Sequence, residues 1–160
     1  MSLEELREQN IRLVTDKALE CFIKNGISNT KVSEIAAAAG LTERSVYRYF
    51  PTKSDILIAS AFRYWERVKE CICRELGRHD LTALTGIEQI NIILNSYANM
   101  LFVDPEGIRF SLDAEVALSA RGRMSTLSTA RRRGLRPIRG RWPSPCARVW
   151  PTERSIPRRT

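Results

Sequence analysis

Ile11, Val14, Ala18 and Phe22, with Leu19 beside them, recur every three to four positions, which predicts an amphipathic helix over residues 3–24. Asn25 and Gly26 end it. Asn29 and Thr30 supply a cap for a short second helix, whose small-sided stripe of Val32, Ile35, Ala36 and Ala39 another helix can cross closely. Gly40 closes that helix, and Thr42 caps a third that runs to about Tyr49. Pro51 stops the third helix. Thr52 or Ser54 caps a longer fourth one with Leu57, Ala61, Tyr64, Val68 and Ile72 on one side, ending near Gly77. Residues 87–103 form a fifth helix, apolar enough for burial on much of its circumference. Asp104-Pro105 breaks it and opens a sixth, in which Ile108, Leu112, Glu115 and Val116 or Ser119 follow one face to about Ala120. With no strand pattern and no internal repeat, the fold class expected is all-α.

Charge changes the picture only when its position is considered. The formal net charge is +8 over 160 residues. Twelve arginines and a single acid, Glu153, fall in residues 121–160, which leaves 14 basic and 17 acidic residues, a net charge of −3, in the first 120. The basic balance therefore says little about the helical part, and any case for a nucleic-acid partner must rest on local placement. After Gly122 the chain has no lysine, five of its seven prolines and no sustained period, so residues 123–160 are expected to be a disordered basic tail. A shifted reading frame accounts for this better than an evolved basic arm, because helical periodicity stops in mid-fold.

Two short helices joined by a tight glycine-containing turn, the second rich in polar and aromatic residues, form the arrangement that sets a recognition helix in the major groove. Leu41, Val46 and Phe50 can face a core while Glu43, Arg44, Ser45, Tyr47, Arg48 and Tyr49 surround the remaining sides. Hydroxyls of Thr42, Tyr47 and Tyr49, the Lys53 cation and free amides at helix starts suit phosphate oxygens. Arg44 and Ser45, near the leading end, can reach base edges, and an arginine there favours guanine. Tyr47 has packing on neighbouring helices as a compatible reading, and Arg44, Arg48 and Lys53 have a competing one as solvated charges.

The residues Thr30-Lys31-Val32, then Ile35-Ala36-Ala37-Ala38-Ala39-Gly40-Leu41-Thr42, then Val46-Tyr47-Arg48-Tyr49-Phe50 and Lys53 resemble the tetracycline-repressor (TetR/AcrR) family. The resemblance is specific from Gly26 to the start of the fourth helix and weaker as far as Gly122. It implies a helical homodimer whose first three helices bind a palindromic operator and whose remaining helices hold a small-molecule inducer and the dimer interface. By matching position, Thr30, Thr42, Tyr47, Tyr49 and Lys53 would contact phosphates, while Arg44 and Ser45 would read bases. The family often has glycine where Arg44 stands, so readout by that residue rests on its own chemistry. Two long dimer-forming helices usually follow in the family, and here the arginine-rich tail takes their place. The organisation expected is a helix-turn-helix domain at residues 1–52, a partial ligand-binding and dimerisation domain at 53–122, and the tail at 123–160.

Other chemistry has little to build on. Cys71 and Cys73 lie two apart on a helix and so point about 200° from each other, which argues against a metal site with His79. One histidine, no triad and no glycine-rich phosphate loop argue against an enzyme, and no cofactor is expected. Trp65, Tyr97, Met100 and Phe110 are candidates for an inducer pocket, with ordinary core packing as the alternative. The four cysteines fit no secreted pattern, the first ten residues do not resemble a secretion signal, and no apolar run reaches the roughly 20 residues of a membrane span. A cytoplasmic protein without a membrane partner is expected. The competing functions are a non-specific polyanion or membrane-surface binder driven by the tail, and an inactive, truncated regulator.

Overall fold

The N-terminal helix starts where it does because two side chains close its first turn. The Ser2 hydroxyl accepts from the Glu5 amide at 3.1 Å, and a Glu5 carboxylate oxygen accepts from the Ser2 amide at 2.7 Å. In the computed structural model, which describes residues 2–119, this helix is α1 (Leu3–Asn25). It is followed by α2 (Val32–Ala38), α3 (Glu43–Tyr49), α4 (Lys53–Leu76), α5 (Gly86–Val103) and α6 (Pro105–Ser119). Among the described residues there is no strand, so the all-α expectation holds. No helix of these residues is long and apolar enough to cross a membrane. The expected tail, residues 123–160, lies outside the described residues.

The described chain forms two compact units, residues 2–65 with 104–119, and residues 66–103. The first unit thus extends beyond residue 52 and takes in the start of α4 and all of α6. Its core is the stripe read from the sequence of α1, with Val14, Ala18, Leu19 and Phe22 buried, met by Val32, Ile35 and Ala36 of α2 and by Ile56, Leu57, Ile58 and Tyr64 of α4. Gly26 ends α1 at φ 81° and ψ 157°, a region essentially reserved for glycine that costs a side-chain-bearing residue about 1–3 kcal/mol. Thr52 and Asp55 start α4 reciprocally, the Thr52 hydroxyl donating to the carboxylate at 2.7 Å and accepting from the Asp55 amide at 3.2 Å. Asp16 on α1 then accepts from Arg63 Nε on α4 at 2.7 Å, with both side chains about a third exposed or less.

α6 joins this unit through rings. Phe110 stacks on Phe22, centroids 6.1 Å apart and planes within 10°, and meets Tyr64 edge-on at 6.2 Å. Gly107 sits so close to the Tyr64 ring and the Asp104 carboxylate that a Cβ there would collide with both. The buried face of α6 is accordingly Gly107, Ile108, Phe110, Ser111, Ala114 and Leu118. The face expected from the sequence is rotated from this one: Ile108 is buried, but Leu112 and Val116 are exposed, as is Glu115. The aromatic contact to Phe22, not the most apolar stripe, sets the orientation.

In the second unit, Val68, Cys73 and Leu76 of α4 are buried. Thr85 caps α5, its amide and hydroxyl both donating to the Glu88 carboxylate at 2.7 and 2.8 Å. Those bonds favour the charged form and hold the Glu88 carboxyl below the usual glutamate value. Gln89 ties the preceding turn by donating to the carbonyls of Leu81 and Leu84. α5 corrects an expectation: of its residues only Ser96 and Met100 are buried, while Ile87, Ile90, Leu94 and Leu101 stand 49–72% exposed. Apolar composition on several sides of a helix signals what it can bury, not what is there to cover it.

Candidate nucleic-acid interface

α2 and α3 are joined by a turn whose geometry follows from Gly40. At φ 66° this residue reverses the chain, so that the Gly40 amide donates to Ala37 O at 3.1 Å and the Leu41 amide to Ala36 O at 2.9 Å. Thr42 then caps α3 as its sequence position predicts, accepting from the Ser45 amide at 3.2 Å, with its oxygen also 2.9 Å from Ser45 Oγ. Val46 and Phe50 are buried, and burying two such side chains contributes about 1.5–3 kcal/mol each. They fix which side of α3 faces outward. On that side Thr42, Glu43, Arg44, Tyr47 and Arg48 are exposed, with Ser45 and Tyr49 partly so.

The outward side chains are not all equally committed. Arg44 and Tyr47 project into solvent, Tyr47 at 43% exposure. Tyr49 is held at the α1–α3 junction, where its hydroxyl accepts from Arg48 Nη2 at 2.9 Å and from Asn10 Nδ2 at 3.2 Å. The Arg48 guanidinium carbon lies 5.0 Å from the centre of the Tyr49 ring, a cation–π distance. The Arg48 bond, joined by the Asn10 bond, stabilises the phenolate and pulls the Tyr49 hydroxyl below its ordinary pKa. Lys53, at the first turn of α4, reaches back so that its ammonium donates to Ser28 O at 3.3 Å in the α1–α2 connection.

Thr30 departs from the sequence reading. It is 1% exposed, and its hydroxyl donates to the carbonyls of Gly26 at 2.8 Å and Cys21 at 3.1 Å. The Thr30 side chain closes the end of α1 and is not offered to a phosphate. Nor does Thr30 cap α2: the N-cap is Lys31, whose amide donates to the Glu34 carboxylate at 3.2 Å. Asn10 escaped the sequence reading altogether. It lies 39 residues from its partner Tyr49, and no local pattern marks it.

The four pocket candidates divide between the two compact units. Phe110 is sealed in the Phe22–Tyr64 ring cluster at 3% exposure, and Trp65, 45% exposed, lies edge-on to Tyr64 in the same unit. Tyr97 and Met100 belong to the other unit, exposed and buried respectively. For Phe110 the geometry is that of a core residue.

Comparison with known proteins fits this geometry. Residues 14–60 match the family model described as bacterial regulatory proteins, tetR family. That stretch covers the second half of α1, the two helices of the turn and the start of α4. The chain is similar to the fatty acid metabolism regulator protein of Bacillus subtilis, 31% identical over 121 residues, covering 55% of this chain and 62% of that protein. It is also similar to the transcriptional regulator AcrR of Shigella flexneri, 44% identical over 43 residues, 27% of this chain and 20% of that protein. The chain thus spans less than two thirds of the length of these curated relatives. Among solved structures, a tetR-family regulator from Shewanella sp. PV-4 shares the fold, with TM-score 0.51 and 16% identity over 79% of this chain and 70% of that one.

Proposed function

We propose, from the premise that this chain belongs through residues 14–60 to the tetR family of bacterial regulatory proteins, that it is a ligand-responsive repressor binding a palindromic operator as a homodimer. The observation that carries the reading is α3 itself: a capped rod fixed from behind by Val46 and Phe50, with Arg44, Tyr47 and Arg48 facing solvent. Arg44 and Ser45 at its leading end read base edges. Thr42, Tyr47, Tyr49 and Lys53 bind phosphates, with Glu43 and Arg48 on the flanks of the same surface.

A homodimer presents two such helices to half-sites one helical turn apart, roughly 34 Å. Effector binding lowers affinity only through a difference between two conformations, the effector favouring the one that sets the recognition helices at the wrong separation. α4 suits the role of lever, because its residues are shared between the two compact units. One relative is named for fatty acid metabolism, which makes fatty acids the first effectors to test.

The test is selection of genomic fragments on the purified protein followed by footprinting. The expected result is a discrete palindrome protected on one face, released by an effector. Binding that is equally tight on any duplex, and that vanishes when residues 123–160 are removed, would assign the activity to the basic tail and overturn the proposal.

A further inference from the structure

We propose that Asn10, on α1, is a positioning residue for DNA-backbone contact, acting by orienting the hydroxyl of Tyr49. This inference rests on the reading of α3 as the DNA-contacting helix.

A phenolic oxygen accepts through its lone pairs and donates one proton. In this structure Arg48 Nη2 donates to Tyr49 Oη at 2.9 Å and Asn10 Nδ2 donates to it at 3.2 Å. With the acceptor capacity engaged by those two donors, the capacity left on that oxygen is its own O–H, turned away from the α1–α3 junction. A phosphate oxygen is an acceptor only, so it is the partner this oriented O–H fits. Arg48 alone would not fix the proton, because it comes from the same helix, one residue away, and moves with it. Asn10 comes from another element and is partly buried, so it sets the Tyr49 ring against a fixed reference. The three side chains then form one surface, a cation over the ring and a directed neutral donor beside it.

The arrangement distinguishes two kinds of phosphate contact. Neutralising a phosphate with a cation releases a counterion and steepens the salt dependence of binding, whereas a neutral O–H donor adds affinity without changing that slope. Removing Asn10 should therefore weaken binding at every salt concentration by the same factor.

The experiment measures binding of the full chain to a short mixed-sequence duplex at low and rising salt, for the wild type, Asn10→Ala, Tyr49→Phe, the double variant and Asn10→Asp. Thermal melting of each checks that α1 and α3 remain folded. Asn10→Ala is expected to weaken binding by about three- to tenfold, the scale of one hydrogen bond, with an unchanged salt slope. It is also expected to have no further effect once Tyr49 is Phe. Asn10→Asp, which keeps the size but can only accept, is expected to be at least as weak as Asn10→Ala, because it recaptures the Tyr49 proton. Effects that add in the double variant, an undiminished affinity in Asn10→Ala, or an undiminished affinity in Asn10→Asp each overturn the inference. A wild-type chain that binds no duplex at all overturns the DNA-binding reading along with it, so the two failures are told apart by the wild type alone.

Discussion

Replacing Phe110 by alanine separates two jobs for that ring. As a core residue it is 3% exposed, stacked on Phe22 and edge-on to Tyr64. Burying a phenylalanine side chain contributes about 1.5–3 kcal/mol, and each aromatic pair adds about 0.5–1.5 kcal/mol beyond area. Losing the ring should therefore cost about 3–5 kcal/mol, the range typical of large-to-small changes in a packed core. With a urea m-value of about 2 kcal/mol per molar, that lowers the unfolding midpoint by roughly 1.5–2.5 M, a large fraction of the stability of a domain this size. The assay is urea denaturation followed by circular dichroism on wild type and Phe110→Ala. If Phe110 instead lined an open pocket, truncation would shift the midpoint little while altering effector response. A measured loss below about 1 kcal/mol would refute core packing as the role of this ring.

Three further outcomes follow from local geometry. Arg44→Ala should cost about 1–3 kcal/mol of discrimination at one operator position while leaving affinity for unrelated duplex nearly intact, as read by competition binding on single-base operator variants. Gly40→Ala meets no steric obstacle from neighbouring atoms, so its cost is the conformational penalty at φ 66° alone, about 1–2 kcal/mol in thermal denaturation; a neutral result would mean the turn relaxes. Glu88, whose pKa is lowered by its bonds from Thr85, steadies the start of α5 above the usual glutamate pKa and loses that effect as pH falls through its lowered value. Carboxyl NMR titration should find it below free glutamate, and Thr85→Ala, which removes the hydroxyl bond but keeps the stronger-acting amide bond, should raise it only part of the way back.

The helices were legible because their signals are local. Gly26, Gly40 and Thr42 act within one turn of where they stand, and the period of Val14, Ala18 and Phe22 needs no partner to be recognised. The outward set on α3 followed from the same logic, since Val46 and Phe50 fix one side and thereby define the other. What failed depended on partners outside the pattern being read. Thr30 is a good cap by composition, yet the carbonyls of Cys21 and Gly26 claim its hydroxyl. α5 has the composition of a buried helix but stands largely uncovered, and α6 turns toward Phe22, 88 residues from Phe110. Asn10 is an ordinary polar residue in sequence and gains meaning only from Tyr49.

The discontinuity of the first compact unit bears on how this protein should be cut. Residues 66–103 are inserted, in chain order, between two stretches that belong to one body. A fragment that stops at Pro51 discards Tyr64 and Phe110 and takes from Phe22 the ring stacked on it. Grafting the DNA-reading helices onto another sensor should thus carry the start of α4 and all of α6 along with the head, because both belong to the same compact unit as α1 to α3.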